Sequence, residues 1–468
     1  MLQLAEQTRI IGEDPQLHWS KNKILAKLDI INPDLTIKTA DMPCSLIDKQ
    51  EFEQQIKELL NLKVIRPSKS RHRSTTFIVR KHSELKRGKA RIVYNYKRLN
   101  DNTYEDSYKL PNKDELINKI QESKYFSKFD CKSGFWQIRL AEESIEWTTF
   151  TCPEGHFEWL VMPFGLKNAP SIFQRKMDQI FKKYDNFCSV YVDDILVHSK
   201  NKNEHRKHLE IVLQEFINNG IVISKNKIAL EKQDIEFLGM YIKSGTIQLQ
   251  DHIAKKVLEF PDKLEDKKQL QAFLGLLNYA RNFIPDLGRK IAVLHSKTSK
   301  TGQKYFNSED IKLVQNIKEE ITKLKPLTLP LDDSYKIVET DASSLGWAGI
   351  LYQKKHRESP KSDEQVCRYS SGKFSDVQSR LPSTDLEILG IINSLEAFSL
   401  FLHNEVFTIR TDCQNIVSHY NKIHANKQAA RRWVNFVDSI TGNGFKPIFE
   451  HIKGNDNTLA DILSRLIC

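Results

Sequence analysis

Seven carboxylates stand where a strand-like run ends or a helix-like run begins. Asp130 closes the apolar run 125–129, and Asp193-Asp194 interrupts the apolar stretch 189–197. Further on, Asp341 follows the run 335–338, Glu387 lies at the start of an amphipathic stretch, Asp412 ends the run 406–411, and Asp461 opens a last helical segment after a polar loop. Two adjacent acids inside an apolar strand are costly to desolvate. The two-residue period of a strand would also send them to opposite faces. The spacing therefore predicts a tight turn between two strands at 193–194. Asp130, 63 residues earlier, is placed to converge with that turn on divalent cations. Hard oxygen ligands suit Mg2+, and two such ions stabilise both the attacking and the leaving oxygen of an in-line phosphoryl transfer. Asp341, Glu387, Asp412 and Asp461 describe a second two-metal site, for hydrolysis. Taken singly each acid also has a plainer reading: a hairpin turn at 193–194, a Thr384-x-x-Glu387 capping box, an N-cap at Asp412.

The elements that must carry these residues are legible in outline. Residues 1–45 are polar and irregular. Helical periodicity begins near Asp48, strand-like runs follow at 76–80 and 90–96, and a helix is expected at 111–122. Asn168-Ala169-Pro170-Ser171 opens a helix to about residue 184, with Pro in the first turn where a missing N–H costs little. An amphipathic helix over 203–219 ends at Gly220. Residues 235–242 and 245–249 read as paired strands, 251–330 as helical, and strands resume at Tyr335, which puts a domain boundary near 330–334. His205 and His208, spaced i to i+3, have no Cys or third His nearby and read poorly as metal ligands.

The chain has 468 residues, 40% of them apolar and 28% charged, with a net charge of +11. That length allows about three domains of ordinary size. The composition excludes a disordered polyelectrolyte, a collagen-like chain and, with no long uninterrupted apolar run, a membrane span. Seven scattered cysteines without a C-x-x-C predict reduced thiols in a cytosol-like compartment and no zinc module. The positive charge is concentrated. Thirteen Lys or Arg face a single acid, Glu84, between Lys63 and Arg98, where two β-type runs flank Lys86-Arg87-Gly88-Lys89. A hairpin with a basic tip is a shape that reaches phosphates. Over 335–468 the net charge is only +1.

Four stretches in order, KARIVYNYKRLN at 89–100, FDCKSGFWQI at 129–138, MPFGLKNAPSIFQ at 162–174 and YVDD at 191–194, resemble the motifs of reverse transcriptases. The resemblance implies a right-hand polymerase with fingers, a ferredoxin-like palm and a helical thumb. By motif position Asp130, Asp193 and Asp194 match the palm metal ligands. Phe135 matches the gate against a ribose 2′-OH, though by composition alone it reads as a core aromatic. Lys81 and Arg91 match residues that hold the triphosphate, Arg91 also reading as a surface residue on a strand edge. Phe164 stands where retroviral enzymes carry Gln, so that nucleotide contacts there are expected to be apolar. Lys227 is matched to a cation near the pyrophosphate, Tyr191 to the primer–template contacts, and Phe237-Leu238-Gly239 to the primer-grip hairpin. Residues 335–468, with acids in the order Asp, Glu, Asp, Asp and the run TDCQ, resemble ribonuclease H, a mixed β-sheet with flanking helices. His451, ten residues before Asp461, matches that family's mobile His or is an exposed loop His. Arg431-Arg432 reads as a track for the hybrid backbone or a solvated face.

The whole is thus expected to be an α+β and α/β multidomain enzyme: an N-terminal extension at 1–45, fingers and palm at 46–250, thumb at 251–333 and ribonuclease H at 334–468. The interval between hairpin and ribonuclease H leaves no room for a connection domain. FLGLLNYARNFIPDLGRK at 273–290 and LADILSR at 459–465 resemble gypsy-type LTR retrotransposons and plant pararetroviruses, and further motifs resemble the badnavirus–tungrovirus group. The resemblance implies RNA- and DNA-directed DNA polymerase and ribonuclease H activities, with two Mg2+ per site and Mn2+ as a substitute. The partners implied are an RNA template, a DNA primer, the RNA–DNA hybrid and dNTPs, with no membrane. A monomer or homodimer is expected, released from a polyprotein with an upstream protease and found in host cytoplasm or virions. The alternatives are the same chemistry in a host LTR retrotransposon and a catalytically inactive nucleic-acid-binding relative.

Overall fold

The computed structural model describes residues 2–40, 42–79, 90–243, 245–298, 306–403, 405–423 and 431–453. Lys81, the basic tip at 86–89 and Asp461 lie outside the described residues. The chain divides into two compact units, Met1–Gln233 and Asp234–Cys468.

In the first unit, helix α1 (Leu46–Asn61) starts at a capping box in which Ser45 and Asp48 satisfy each other's backbone N–H. Strands β1 (Ile65–Pro67), β2 (Ser74–Val79) and β3 (Arg91–Tyr94) come next, followed by β4 (Tyr125–Asp130), β5 (Phe150–Cys152) and β6 (Gly155–Trp159). Helix α2 (Ala169–Phe181) leads to the hairpin of β7 (Cys188–Tyr191) and β8 (Asp194–Ser199). Helix α3 (Lys202–Asn219) and strand β9 (Ala229–Lys232) complete the unit. Five strands form one sheet in the order β1-β6-β5-β2-β3. Four antiparallel strands form the other, β9-β4-β8-β7.

That second sheet is the platform for Asp130 and Asp193-Asp194. Its helices are held by apolar faces of the right period. Phe173, Met177 and Phe181 of α2 and Leu209, Val212, Leu213 and Phe216 of α3 are buried in one core with Phe129, Val190, Ile195 and Val197. Gly220 ends α3 in the left-handed conformation, at φ +63. The N-terminal 45 residues are not a loose extension. Leu25–Ala26 pairs in parallel with Arg139–Leu140, and Ala5, Ile10, Ala26, Leu28 and Ile37 are buried in the same core. These apolar residues fill slots one at a time, so no helical or strand period announces them.

The second unit begins with strands β10 (Asp234–Phe237), β11 (Met240–Lys243) and β12 (Thr246–Leu249). The single run expected over 235–242 is broken at Leu238-Gly239, where φ values of +50 and +86 make a two-residue turn. Four helices follow: α4 (Asp251–Leu258), α5 (Lys267–Ala280), α6 (Leu287–Ser296) and α7 (Ser308–Thr322). Strand β13 (Leu327–Thr328) then returns to pair with β12. This return ties the hairpin to the helices, so the compact units part at Gln233 rather than near 250.

Beyond it lie β14 (Tyr335–Ser343), β15 (Gly346–Lys354), β16 (Gln365–Lys373), α8 (Ser383–Leu402), β17 (Val406–Thr411), α9 (Gln414–Ile423), α10 (Arg431–Thr441) and β18 (Lys446–His451). The sheet order is β16-β15-β14-β17-β18. The first three strands are antiparallel, and β14, β17 and β18 are parallel, which is the mixed sheet that the motifs imply. No helix among the described residues is long and apolar enough to cross a membrane.

Candidate active sites

The first carboxylate set is assembled by strand register. Asp194 pairs with Asp130 across the β8–β4 ladder and with Tyr191 across the hairpin. Directly opposed residues share a face of the sheet, so Asp130 and Asp194 project together. Val192 takes φ +52, an unfavourable backbone for a β-branched residue. Gln174 of α2 holds it there: its Oε1 accepts from the Val192 N–H at 2.6 Å while its Nε2 donates to the Val190 carbonyl at 3.2 Å. The turn carries Asp193 inward. Its Oδ1 is buried with no hydrogen-bond partner among the described residues. Burial pushes the Asp193 carboxyl up to about 7, the charges of Asp130 and Asp194 add to the effect, and Lys227 opposes it. Gly134 makes room for it, since a Cβ there would lie 2.1 Å from Asp193 Oδ1.

Two lysines stand at the other two acids. Lys227, on a 3-10 turn before β9, places Nζ 2.9 and 3.0 Å from the Asp130 oxygens. Lys128 Nζ lies 2.8 Å from Asp194 Oδ1. The sequence reading singled out Lys227 but not Lys128, although Lys128 precedes Asp130 by two in β4 and so faces the same way. Gln174 and Gly134 were missed as well, both lying inside motifs that had been quoted for other residues.

Phe135 follows on a short 3-10 turn and is nearly buried. Its ring centroid lies 5.9 Å from that of Phe173 in an edge-on contact and 5.2 Å from that of Phe164, a residue 45% exposed. Phe135 thus packs as a core aromatic whose neighbour Phe164 is open to solvent. Tyr191 ends β7 with the Lys113 ammonium 5.2 Å from its ring centroid. Arg91 opens β3 opposite Val79, on the exposed side. Phe237, Leu238 and Gly239 form the β10–β11 turn of the second unit, with the Tyr279 ring so close that a Cβ on Gly239 would meet it at 2.5 Å.

The second set is drawn together more tightly. Asp341 lies in β14, Asp412 directly follows β17, and Glu387 lies in the second turn of α8. Their ligand oxygens come within 4.8 Å of one another. Glu387 makes no capping box: α8 begins at Ser383 after Pro382 with no side-chain cap, and Glu387 Oε1 accepts from the Ala342 N–H at 3.3 Å. Small residues bring the helix down, a Cβ on Gly390 meeting Ala342 at 3.0 Å and one on Gly349 meeting Ser394 at 2.5 Å. His451 is the last residue of β18, in register with Thr411, and a ring N–H reaches the Asp412 carbonyl at 3.2 Å. It is thus anchored to a strand end rather than carried on a free loop. Arg431 and Arg432 open α10. His205 and His208 each direct Nδ1 to the Ser199 hydroxyl at 2.8 Å, a serine-bonded pair rather than a metal site.

Both acid clusters offer hard oxygen donors, and an orphaned buried oxygen on Asp193 and three converging carboxylates at Asp341 are what a divalent cation would satisfy. Residues 79–242 match the family model for "Reverse transcriptase (RNA-dependent DNA polymerase)", and residues 332–439 match "RNase H-like domain found in reverse transcriptase". The chain is 45% identical over 458 residues to the enzymatic polyprotein of cauliflower mosaic virus (strain Strasbourg), covering 98% of this chain and 67% of that protein. It is 44% identical to polyprotein P3 of Commelina yellow mottle virus, of which it spans only 25%. Among solved structures, a foamy viral protease–reverse transcriptase in complex with an RNA/DNA hybrid superposes with a TM-score of 0.75 at 21% identity, covering 97% of this chain and 60% of that one, which speaks to fold. The chain belongs to the reverse transcriptase–ribonuclease H enzymes of plant pararetroviruses.

Proposed function

We propose that this chain polymerises DNA on RNA and DNA templates at Asp130, Asp193 and Asp194 and cleaves the RNA of the resulting hybrid at Asp341, Glu387, Asp412 and Asp461. The observation that carries the reading is the pair of carboxylate clusters, one per compact unit, each at a strand end beside its own motif. A pair of Mg2+ ions at each cluster, with Mn2+ as a substitute, would supply Lewis-acid stabilisation of the reacting phosphate oxygens. The protein's own part is positional. The β4–β8 register fixes Asp130 against Asp194, and Gln174 and Gly134 fix Asp193. Lys227 and Lys128, each exchangeable for a cation of higher charge, hold the acids until substrate arrives. Phe135, braced by Phe164 and Phe173, closes the sugar side of the nucleotide pocket against a 2′-OH, with Lys81 and Arg91 on its phosphates. In the second unit Glu387 orients through the Ala342 N–H, and His451 stands beside Asp412 where product must leave. Tyr191, the turn 237–239 and Arg431-Arg432 contact primer, template or hybrid.

The enzyme acts as a monomer or homodimer, is cut from a polyprotein that carries an upstream protease, and works in host cytoplasm or in virions. Extension of a DNA primer on an RNA template, and cleavage of a labelled hybrid, test the two sites separately. Asp193→Asn is expected to lower extension by at least about 100-fold, the loss of one essential oxygen ligand, and to leave hybrid cleavage intact. Asp412→Asn is expected to do the reverse. Survival of both activities in both variants would show that neither acid belongs where it is placed.

A further inference from the structure

The turn that follows Asp130 needs outside support. Ser133 takes the left-handed backbone, at φ +44 and ψ +57, and leads into the 3-10 turn Gly134–Gln137. A residue with a side chain stays in that region only where its surroundings hold it. The turn matters because Gly134 walls Asp193 and Phe135 is its second residue.

Two glutamines supply the hold. Gln137, 1% exposed, closes the turn from inside. Its Nε2 donates to the Lys132 carbonyl at 3.0 Å and the Val222 carbonyl at 2.8 Å, and its Oε1 accepts from the Val222 N–H at 3.0 Å. Gln16 comes from far upstream in the chain. Its Nε2 donates to the Trp136 carbonyl, and its Oε1 accepts from Arg139 Nε at 3.1 Å.

Gln16 is brought there by a fastened segment. Ile11 pairs in parallel with Ile223. The Ile223 N–H donates to the Ile10 carbonyl at 2.8 Å, and the Gly12 N–H donates to the Ile223 carbonyl at 3.3 Å. Ile223 also pairs antiparallel with Cys131, the residue next to Asp130. Residues 221–224 thus lie between the N-terminal stretch and the chain leaving β4. Beyond Gln16, the Arg139 guanidinium sits 4.0 Å from the Trp19 ring centroid, a cation–π contact that fixes the far end. The exposed Glu13–Lys132 ion pair adds little.

We propose that the N-terminal segment 10–19 sets the sugar selection of the polymerase, with Gln16 as the positioning residue through which it acts. By holding the Trp136 carbonyl, Gln16 fixes the turn and with it the place of the Phe135 ring. The proposal rests on the reading of Phe135 as the wall against a 2′-OH and adds a determinant that lies outside every polymerase motif.

The full-length chain, as wild type, Gln16→Leu, Gln16→Glu and Phe135→Val, is assayed for single-nucleotide extension of a primed RNA template with dNTP and with rNTP. The readout is the ratio of kcat/KM for the two sugars, from which any inactive fraction of protein cancels. Gln16→Leu removes both hydrogen bonds at similar bulk. It should lower the preference for dNTP about tenfold, part of the roughly 100-fold that an ångström of misplacement costs. Gln16→Glu keeps the acceptor for Arg139 but sets a carboxylate against the Trp136 carbonyl. It should lower the preference at least as much, and it serves should the first variant fold poorly. Hybrid cleavage, in the other unit, should stay within about twofold of wild type in both. A preference lowered by Phe135→Val but by neither Gln16 variant overturns the proposal and leaves the gate standing. A loss in Gln16→Leu with a wild-type preference in Gln16→Glu overturns the route through Trp136. An unchanged preference in Phe135→Val removes the gate itself, and the proposal with it.

Discussion

At the scale of single residues, the proposed polymerase site depends on a hole as much as on its acids. Asp193 enters a pocket whose wall is the bare Cα of Gly134, and no side chain fits between them. Gly134→Ala would put a methyl 2.1 Å from Asp193 Oδ1 and 3.0 Å from the Phe173 ring. A contact that short forces either the acid or the ring to move. Moving an acid from its productive position by an ångström costs on the order of 100-fold in rate. Gly134→Ala should therefore lower primer extension by about that factor while hybrid cleavage, in the other unit, stays within about twofold. Extension at the wild-type rate would mean that Asp193 works from a different rotamer. Phe164 makes the complementary point: the residue expected to meet the nucleotide also packs its ring 5.2 Å from that of Phe135, the proposed gate, so a change at either should be felt by the other.

At the scale of elements, a buried network ties α3 to the catalytic sheet and should make the first unit acid-sensitive. His198, in β8, has Ser123 and Ser189 hydroxyls on its two ring nitrogens at 3.1 and 3.4 Å, with His205, His208, Lys119 and Asp185 as its titratable neighbours. His205, in α3, lies between Ser127 and Ser199 at 2.8 Å each, with His208 and Glu231 nearby. Burial lowers the pKa of His198 to about 3 and that of His205 to about 4. Both are thus neutral in the folded chain at pH values where the unfolded chain has begun to bind protons near 6.5. The unfolded state then holds more protons, so stability is complete above about pH 6.5 and falls as pH drops toward 4. Each histidine contributes at most about 1.4 kcal/mol per pH unit in that window. Melting curves from pH 7 to 4.5 should show the His198→Gln/His205→Gln protein losing less of its stability to acid than wild type does. Parallel losses in the two proteins would exclude this network as the cause.

The same elements show what a sequence can and cannot disclose. Gly220 and Asp193-Asp194 were legible because a C-cap and a strand-interrupting acid pair are local signals. The mixed sheet of the second unit was legible through its motifs. Ala26, Leu28 and Ile37 were not, because each is buried by a partner more than a hundred residues away or by a loop, without a period of its own. Lys128 and Gln174 were hidden for a related reason: their roles exist only once β4 lies beside β8 and α2 lies under the hairpin. Glu387 was ambiguous between a cap and a ligand; the start of α8 at Ser383 removes the cap, and the side chain instead meets the Ala342 N–H beside Asp341 and Asp412.

At the scale of the whole molecule, charge as well as fold distinguishes the two ends. Of the net +11, residues 335–468 carry only +1, whereas the segment from Lys63 to Arg98 holds thirteen cations against one acid. Each phosphate contact made by such a cation releases counterions and steepens the fall of affinity with salt by about 0.9 in the log–log slope. Lys63, Lys69, Arg71 and Arg91 are exposed, as are Lys355, Arg357, Lys361 and Lys373 in the second unit. Replacing the first four by Ala should flatten the salt dependence of binding to a primed RNA template by about 2 or more, if at least two of them meet phosphates. Replacing the second four, where acids nearly balance the cations, should change the slope by less than about 1. Filter binding or anisotropy between 50 and 300 mM salt, roughly the range over which such slopes are read, would measure both. A steeper loss from the second set would place the electrostatic grip in the ribonuclease H unit and remove the basic segment of the first unit as its seat.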